Sequence, residues 1–197
     1  VCVCDKQVLA DIAFQTLSGL VFLHVQHKSV HRDIKPANIL TSSKGQVKIA
    51  DFGLSKALDQ SSAFAHTFVG TVCYMSPERI TGESYSFASD LWSLGLTLLA
   101  VAKGRFPLNL KRGDDAAGEG LQSSDAAPAD QGPVGGAGGY WAMIRAICDN
   151  EPPRAGRAFS AAFNDFIASC LRKAPEERES AQQLLKRRVH ITHWSPR

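Results

Sequence analysis

A chain of 197 residues, 44% of them hydrophobic, is long enough to bury one sizeable core. Its formal net charge of +3, from 22 Lys and Arg against 19 Asp and Glu, is too small for a nucleic-acid-binding field, so no nucleic-acid partner is expected. Five cysteines (Cys2, Cys4, Cys73, Cys148 and Cys170) are odd in number, scattered and without C-x-x-C spacing. They are expected as reduced thiols of a cytoplasmic protein rather than as disulfides or a metal site.

No signal-peptide pattern is visible, and the longest apolar run, Leu91 to Ala102, falls short of the roughly 20 residues a membrane helix needs. That run reads as a buried core helix, and no membrane partner is expected. Lys186-Arg187-Arg188 reads as a solvated helix end.

In chain order, Asp5 is a natural N-cap for an apolar stripe through Val8, Leu9, Ile12, Ala13, Leu17, Leu20 and Val21. The pattern predicts one amphipathic helix over 6–27. A loop follows, His31-Arg32-Asp33-Ile34-Lys35-Pro36-Ala37-Asn38. Ile39-Leu40 and Val47-Lys48-Ile49 then predict a short β-pair with Gly45 as the turn residue, leading into Asp51-Phe52-Gly53. From Leu54 to Thr71 the chain is polar and rich in small residues, with hydroxyls at Ser61, Ser62 and Thr67. Asp90 is expected to cap the most hydrophobic helix. Residues 109–139, dominated by Gly, Ala, Asp and Ser, are expected to be a disordered insertion, because they bury too little to offset ordering entropy. A helix is expected from about Gly139, with Met143, Ile144 and Ile147 on one face, and a last pair over about 160–172 and 179–189.

The loop residues carry the chemistry. Two carboxylates, an amide and an ammonium group stand at the spacing that phosphoryl transfer from Mg-ATP requires. Asp33 can accept the proton of a substrate hydroxyl, and Lys35 can reach the transferring phosphate. Asn38 and Asp51 offer the hard oxygen ligands that Mg²⁺ prefers. Either tripeptide alone would be a weak signal. Here Gly70-Thr71, Tyr74-Met75-Ser76-Pro77-Glu78 and Asp90-Leu91-Trp92-Ser93-Leu94-Gly95 follow in order.

With those landmarks the chain resembles eukaryotic protein kinases. The resemblance implies a mainly α fold, the kinase C-terminal lobe, with a catalytic loop over 31–38 and an activation segment over 51–78. Within residues 1–197 there is no G-x-G-x-x-G strand-turn and no Val-Ala-Ile-Lys strand, so a partial kinase domain lacking the upper lobe is expected. ATP and Mg²⁺ are the implied cofactors, with Leu40 as a floor under adenine. The resemblance also implies that His31 and Phe52 stack to link the two loops, and that Asp90 holds the catalytic-loop backbone. It further implies that Glu78 pairs with Arg178, and that Arg32 receives a phosphate placed on Ser61 or Thr67.

Asp-Ile-Lys-Pro-Ala-Asn at 33–38 and Thr71 are similar to the serine/threonine type. The stretch from Phe68 through Leu96 resembles MAP kinase kinases, which are dual-specificity enzymes, and Ser61 and Thr67 match the S/T-x5-S/T spacing of their plant-type members. That resemblance implies a MAP kinase as protein substrate and an upstream activating kinase. The insertion after Phe106-Pro107 and the absence of proline after Arg178 depart from the pattern. A serine/threonine kinase of another branch and a non-catalytic docking module remain as alternatives.

Overall fold

The computed structural model describes residues 5–52, 72–84, 86–108 and 137–187. Ser61, Ser62, Thr67, Gly53, Thr71, Cys2, Cys4 and the expected insertion up to residue 136 lie outside the described residues.

Helix α1, Lys6–Val21, starts where Asp5 Oδ1 accepts from the backbone N–H groups of Gln7 and Val8 at 2.8 and 3.3 Å. Of the expected stripe, Leu9, Ile12, Ala13, Leu17 and Leu20 are buried and Val21 is partly buried, whereas Val8, in the first turn, is exposed. The single helix expected over 6–27 runs from Lys6 to Gln26, with the difference that after Val21 it widens into a π-turn, Phe22–Gln26. Periodicity does not foresee this turn, within which His24 reaches a tertiary partner, Asp90. Lys6–Gln26 also has the length and composition of a membrane span, with mean hydropathy 1.6, but its apolar stripe is seated in the core.

The hairpin consists of β1, Ile39–Thr41, antiparallel to β2, Val47–Ile49, with Ile39 opposite Ile49 and Leu40 opposite Lys48. Gly45 supplies the left-handed turn residue at φ +74°. A lone two-stranded hairpin is marginal in water, and α1 supports this one through Gln15. Its amide donates to Gly45 O and accepts from Val47 N, both at 2.9 Å. Ile49 turns into the core against α1, so the pleat puts Leu40 on the other face, 55% exposed. Leu40 is therefore not a core leucine.

Downstream lie α2 (Pro77–Ile80), α3 (Phe87–Lys103), α4 (Ala137–Cys148), α5 (Ala161–Cys170) and α6 (Ala181–Lys186). Helix α3 is the axis of the core, buried almost all round, from Leu91 and Trp92 to Leu99 and Ala102. Its cap is Ser86, whose hydroxyl accepts from Ala88 N at 3.3 Å, and it ends at Gly104 in the left-handed region. The expectation that Asp90 caps this helix is thus corrected: Asp90 is the fourth helical residue, and its carboxylate is used elsewhere. Helix α4 starts two residues before Gly139 and buries Met143 and Ile147. Helices α5 and α6 are shorter than expected, capped by Ser160 and by a Ser180–Gln183 capping box. Helix α1 packs on β2, α3 and α6, α3 packs on α5, and α2 on α4. The described body is mostly helical with one small sheet.

Cys73, Cys148 and Cys170 are thiols outside any disulfide. Burial pushes all three up, Cys73 to about 11, which keeps them protonated and unreactive.

The α3–α5 crossing depends on Gly95. A Cβ there would sit 2.8 Å from Cys170 Cβ and 2.9 Å from Leu171 Cδ2. Alanine gains about 1 kcal/mol in helix propensity, whereas overpacking against a rigid Cβ costs about 1–3 kcal/mol. Gly95→Ala is expected to lower the urea-unfolding free energy by up to about 2 kcal/mol; a raised midpoint would show that the crossing has slack.

Candidate active site

The loop at 31–38 is held from below by one carboxylate. Asp90 Oδ2 accepts from His31 N at 2.8 Å and Oδ1 from Arg32 N at 2.9 Å. His24 Nε2 reaches the same Oδ2 at 2.8 Å. Asp90 is 1% exposed, so burial of its charge is tolerable only because these donors replace water. The pull of Asp90 accompanies a strained backbone. Arg32 has φ +76°, a left-handed conformation that costs a non-glycine residue about 1–3 kcal/mol. Asp51 has φ +61°.

His31 joins the two loops. Its Nε2 lies 3.0 Å from Ala50 O, and its Nδ1 3.3 Å from Asp33 N. These partners assign the tautomer, with Nε2–H donating to the carbonyl and Nδ1 accepting from the amide. The ring meets Phe52 edge-on at 5.1 Å. Ala50 N donates to Asn38 O at 2.8 Å, so the residue before Asp51 is bonded to both His31 and Asn38. Asn38, buried, donates its amide to Asp33 O at 2.8 Å and to Asp33 Oδ2 at 2.9 Å. Lys35 Nζ lies 3.0 Å from the same Oδ2. Asp33, Lys35, Asn38 and Asp51 are thereby gathered at one end of the hairpin.

The donor set can be tested against Mg²⁺. Because the Asn38 nitrogen is consumed by Asp33, its Oδ1 stays an acceptor with no protein donor among the described residues. The Asp51 carboxylate is exposed and has no ion pair among the described residues. Nor is there among them any group of three or more His, Cys, Asp or Glu that could cage a metal. Two oxygen ligands without a cage suit Mg²⁺, which keeps waters and phosphate oxygens in its shell.

A second anchor lies across the body. Arg178 forks onto Glu78, Nη1 to Oε1 and Nη2 to Oε2, both at 2.7 Å, with both side chains buried. Ser89 Oγ donates to Glu78 Oε1 at 2.8 Å. The remaining Arg178 hydrogens go to the carbonyls of Arg172, Ala88 and Lys173, and the guanidinium lies over Trp92 at 5.2 Å. Burial alone would push the Glu78 carboxyl up, but the hydrogen bonds and charge of Arg178 outweigh it, and the net shift is downward.

Sequence patterns did not single out His24, Gln15, Arg79 or Ser89. His24 falls on a helix flank with no motif around it, and only the π-turn brings it to Asp90. The side-chain nitrogen Nη1 of Arg79 donates to Arg32 O at 2.5 Å, a contact between segments 47 residues apart.

A kinase-type loop gathered on a buried aspartate, beside an Asp-Phe segment and a Glu–Arg tether, defines a class, and the family comparison agrees. The chain belongs to the protein kinase domain family, whose model matches residues 2–189. Among its relatives it is similar to mitogen-activated protein kinase kinase 1c of Physcomitrium patens, at 47% identity over 180 residues. It is 40% identical over 182 residues to mitogen-activated protein kinase kinase 1 of Arabidopsis thaliana. These alignments cover 90% and 92% of this chain but 46% of each relative. A dual specificity mitogen-activated protein kinase kinase 1 of Dictyostelium discoideum is 60% identical over 102 residues, 52% of this chain and 16% of the relative. The chain thus spans less than half the length of these relatives.

Arg178→Ala strands a buried carboxylate and is expected to cost about 3–5 kcal/mol in urea unfolding. Because the folded pKa of Glu78 is lowered, the pair's contribution is full above the ordinary carboxylate pKa and is lost as pH falls through the folded value. The wild-type stability should therefore fall in acid more steeply than that of Glu78→Gln/Arg178→Met, and parallel pH profiles would contradict this.

Proposed function

We propose that this domain transfers the γ-phosphoryl group of ATP to a protein hydroxyl, as a serine/threonine-type, MAP kinase kinase-like enzyme in a MAP kinase cascade. The observation that carries the reading is the convergence of Lys35 and Asn38 on Asp33 Oδ2, with Asn38 bonded in turn to Ala50, the residue that precedes Asp51.

Asp33 serves as the base. Its two donors among the described residues both contact Oδ2, which leaves Oδ1 to orient a substrate hydroxyl and take its proton. Lys35, 3.0 Å from that carboxylate, sits where it can balance charge on the group in flight. Asn38 Oδ1 and the Asp51 carboxylate would hold Mg²⁺, and Leu40, exposed beside them, would lie under adenine. Mg-ATP, when bound, would supply the phosphoryl group, and its metal would add to the charge neutralisation that Lys35 provides. The Glu78–Arg178 pair would tether the end of the activation segment, where Ser61 and Thr67 are the proposed phosphorylation sites and Arg32 their partner.

The substrate class is a MAP kinase and the activator an upstream kinase, a reading supported by the names of the three relatives. Residues 1–197 are read as the C-terminal lobe of a kinase domain, in a cytoplasmic protein whose described thiols are reduced.

In the natural polypeptide, Asp33→Ala is expected to lower phosphotransfer to a kinase-dead MAP kinase by at least about a hundredfold. Its unfolding midpoint should stay near that of wild type, because Asp33 is partly exposed; retained transfer would remove Asp33 as the base. The 197 residues alone, with no phosphate-cradling lysine strand among them, are expected to bind Mg-ATP weakly. A calorimetric titration showing tight binding would contradict the lower-lobe reading.

A further inference from the structure

Arg32, the residue that leads into Asp33, is gripped at both its backbone N–H and its carbonyl by charged side chains from different elements. On the N-terminal side, Arg32 N is held by Asp90 Oδ1 of α3 at 2.9 Å. On the C-terminal side, Arg32 O accepts from Arg79 Nη1 of α2 at 2.5 Å. The Arg32 carbonyl and the Asp33 N–H belong to one planar unit. Fixing that carbonyl fixes the plane from which the Asp33 side chain departs, with Asp33 N bonded in turn to His31 Nδ1. The grip also falls on a residue at φ +76°, where the backbone relaxes unless its surroundings hold it.

We propose that Arg79 is a positioning residue that sets the orientation of Asp33 through the Arg32 carbonyl, and so couples the order of α2 to the base. The neighbouring residue gives the coupling its direction. Glu78 precedes Arg79 on the same helical turn and is locked into the helical body by Arg178. One residue of α2 is thus bolted to the core while the next reaches the catalytic loop, so displacement of the turn withdraws the donor from Arg32 O. A guanidinium suits the task because its planar fork keeps one N–H on the carbonyl while other N–H groups remain for further partners.

The inference rests on the reading of Asp33 as the base, and the test has one arm that does not. In the natural polypeptide, Arg79→Gln is expected to lower kcat about tenfold or more while KM for ATP and for protein substrate changes less than twofold. Arg79→Lys, which keeps a cationic donor, should recover part of the loss. In the second arm, amide hydrogen exchange of the peptide covering 31–35 should speed up at least fivefold in Arg79→Gln, with peptides of α3 and α5 unchanged. Unaltered exchange at 31–35, or a loss spread equally over kcat and both KM values, would overturn the proposal. If the wild-type protein transferred no phosphate at all, the kinase reading would fail, and the exchange arm would still decide whether Arg79 orders the loop. Should Arg79→Gln unfold, Arg79→Lys carries both measurements, and exchange equal to wild type with lowered kcat would likewise overturn it.

Discussion

A carboxylate buried at 1% exposure must be surrounded by donors, and Asp90 recruits its donors from the loop that bears the proposed base. Desolvating a lone carboxylate would cost far more than a small domain's whole stability margin. The two backbone N–H groups of His31 and Arg32, with the His24 ring, are therefore not incidental contacts but the condition under which α3 can run through the core. The same bonds hold Arg32 in a left-handed conformation that an isolated loop would avoid. Stability of the core and geometry of the loop are thus one requirement, met by one residue.

The second buried charge extends this logic to the segment end. Arg178 satisfies Glu78 with a bidentate fork and spends its other hydrogens on three carbonyls, so no charge or donor of the pair is left over. A pair of this kind contributes little net stability relative to apolar residues, yet it is costly to break by halves. Its effect is to specify one arrangement: α2 sits against α3 and the 172–178 turn in a single register. The loop–hairpin junction is arranged on similar lines, with His31, Ala50 and Asn38 exchanging backbone and ring bonds so that Asp33 and Asp51 share one neighbourhood.

Much of this was readable from residue order. The Asp5 cap, the α1 stripe, the Gly45 turn and the burial of Leu91 to Ala102 follow from local propensity and periodicity, which act within a few residues. The candidate site residues were readable because the chemistry confines them to two short segments. Other features were out of reach. The face of the hairpin that Leu40 occupies is not legible from its residue type, and only its pairing opposite Lys48 assigns it to the open face. Asp90 looked like a cap because it stands near a helix start, whereas the hydroxyl of Ser86 takes that place; the hold of the Asp90 carboxylate on the loop backbone is what the kinase resemblance implied.

From order alone, the chain determined which residues are candidates for phosphoryl-transfer chemistry and where most helices begin, since these depend on side-chain type and on neighbours within a turn or two. Tertiary structure alone decided the π-turn that brings His24 to Asp90, the reach of Arg79 to Arg32 across 47 positions, and the grip of Gln15 on the hairpin. Those contacts join segments far apart in sequence. Which polar group meets which is set by the packing of helices around α3, and no local pattern encodes that packing.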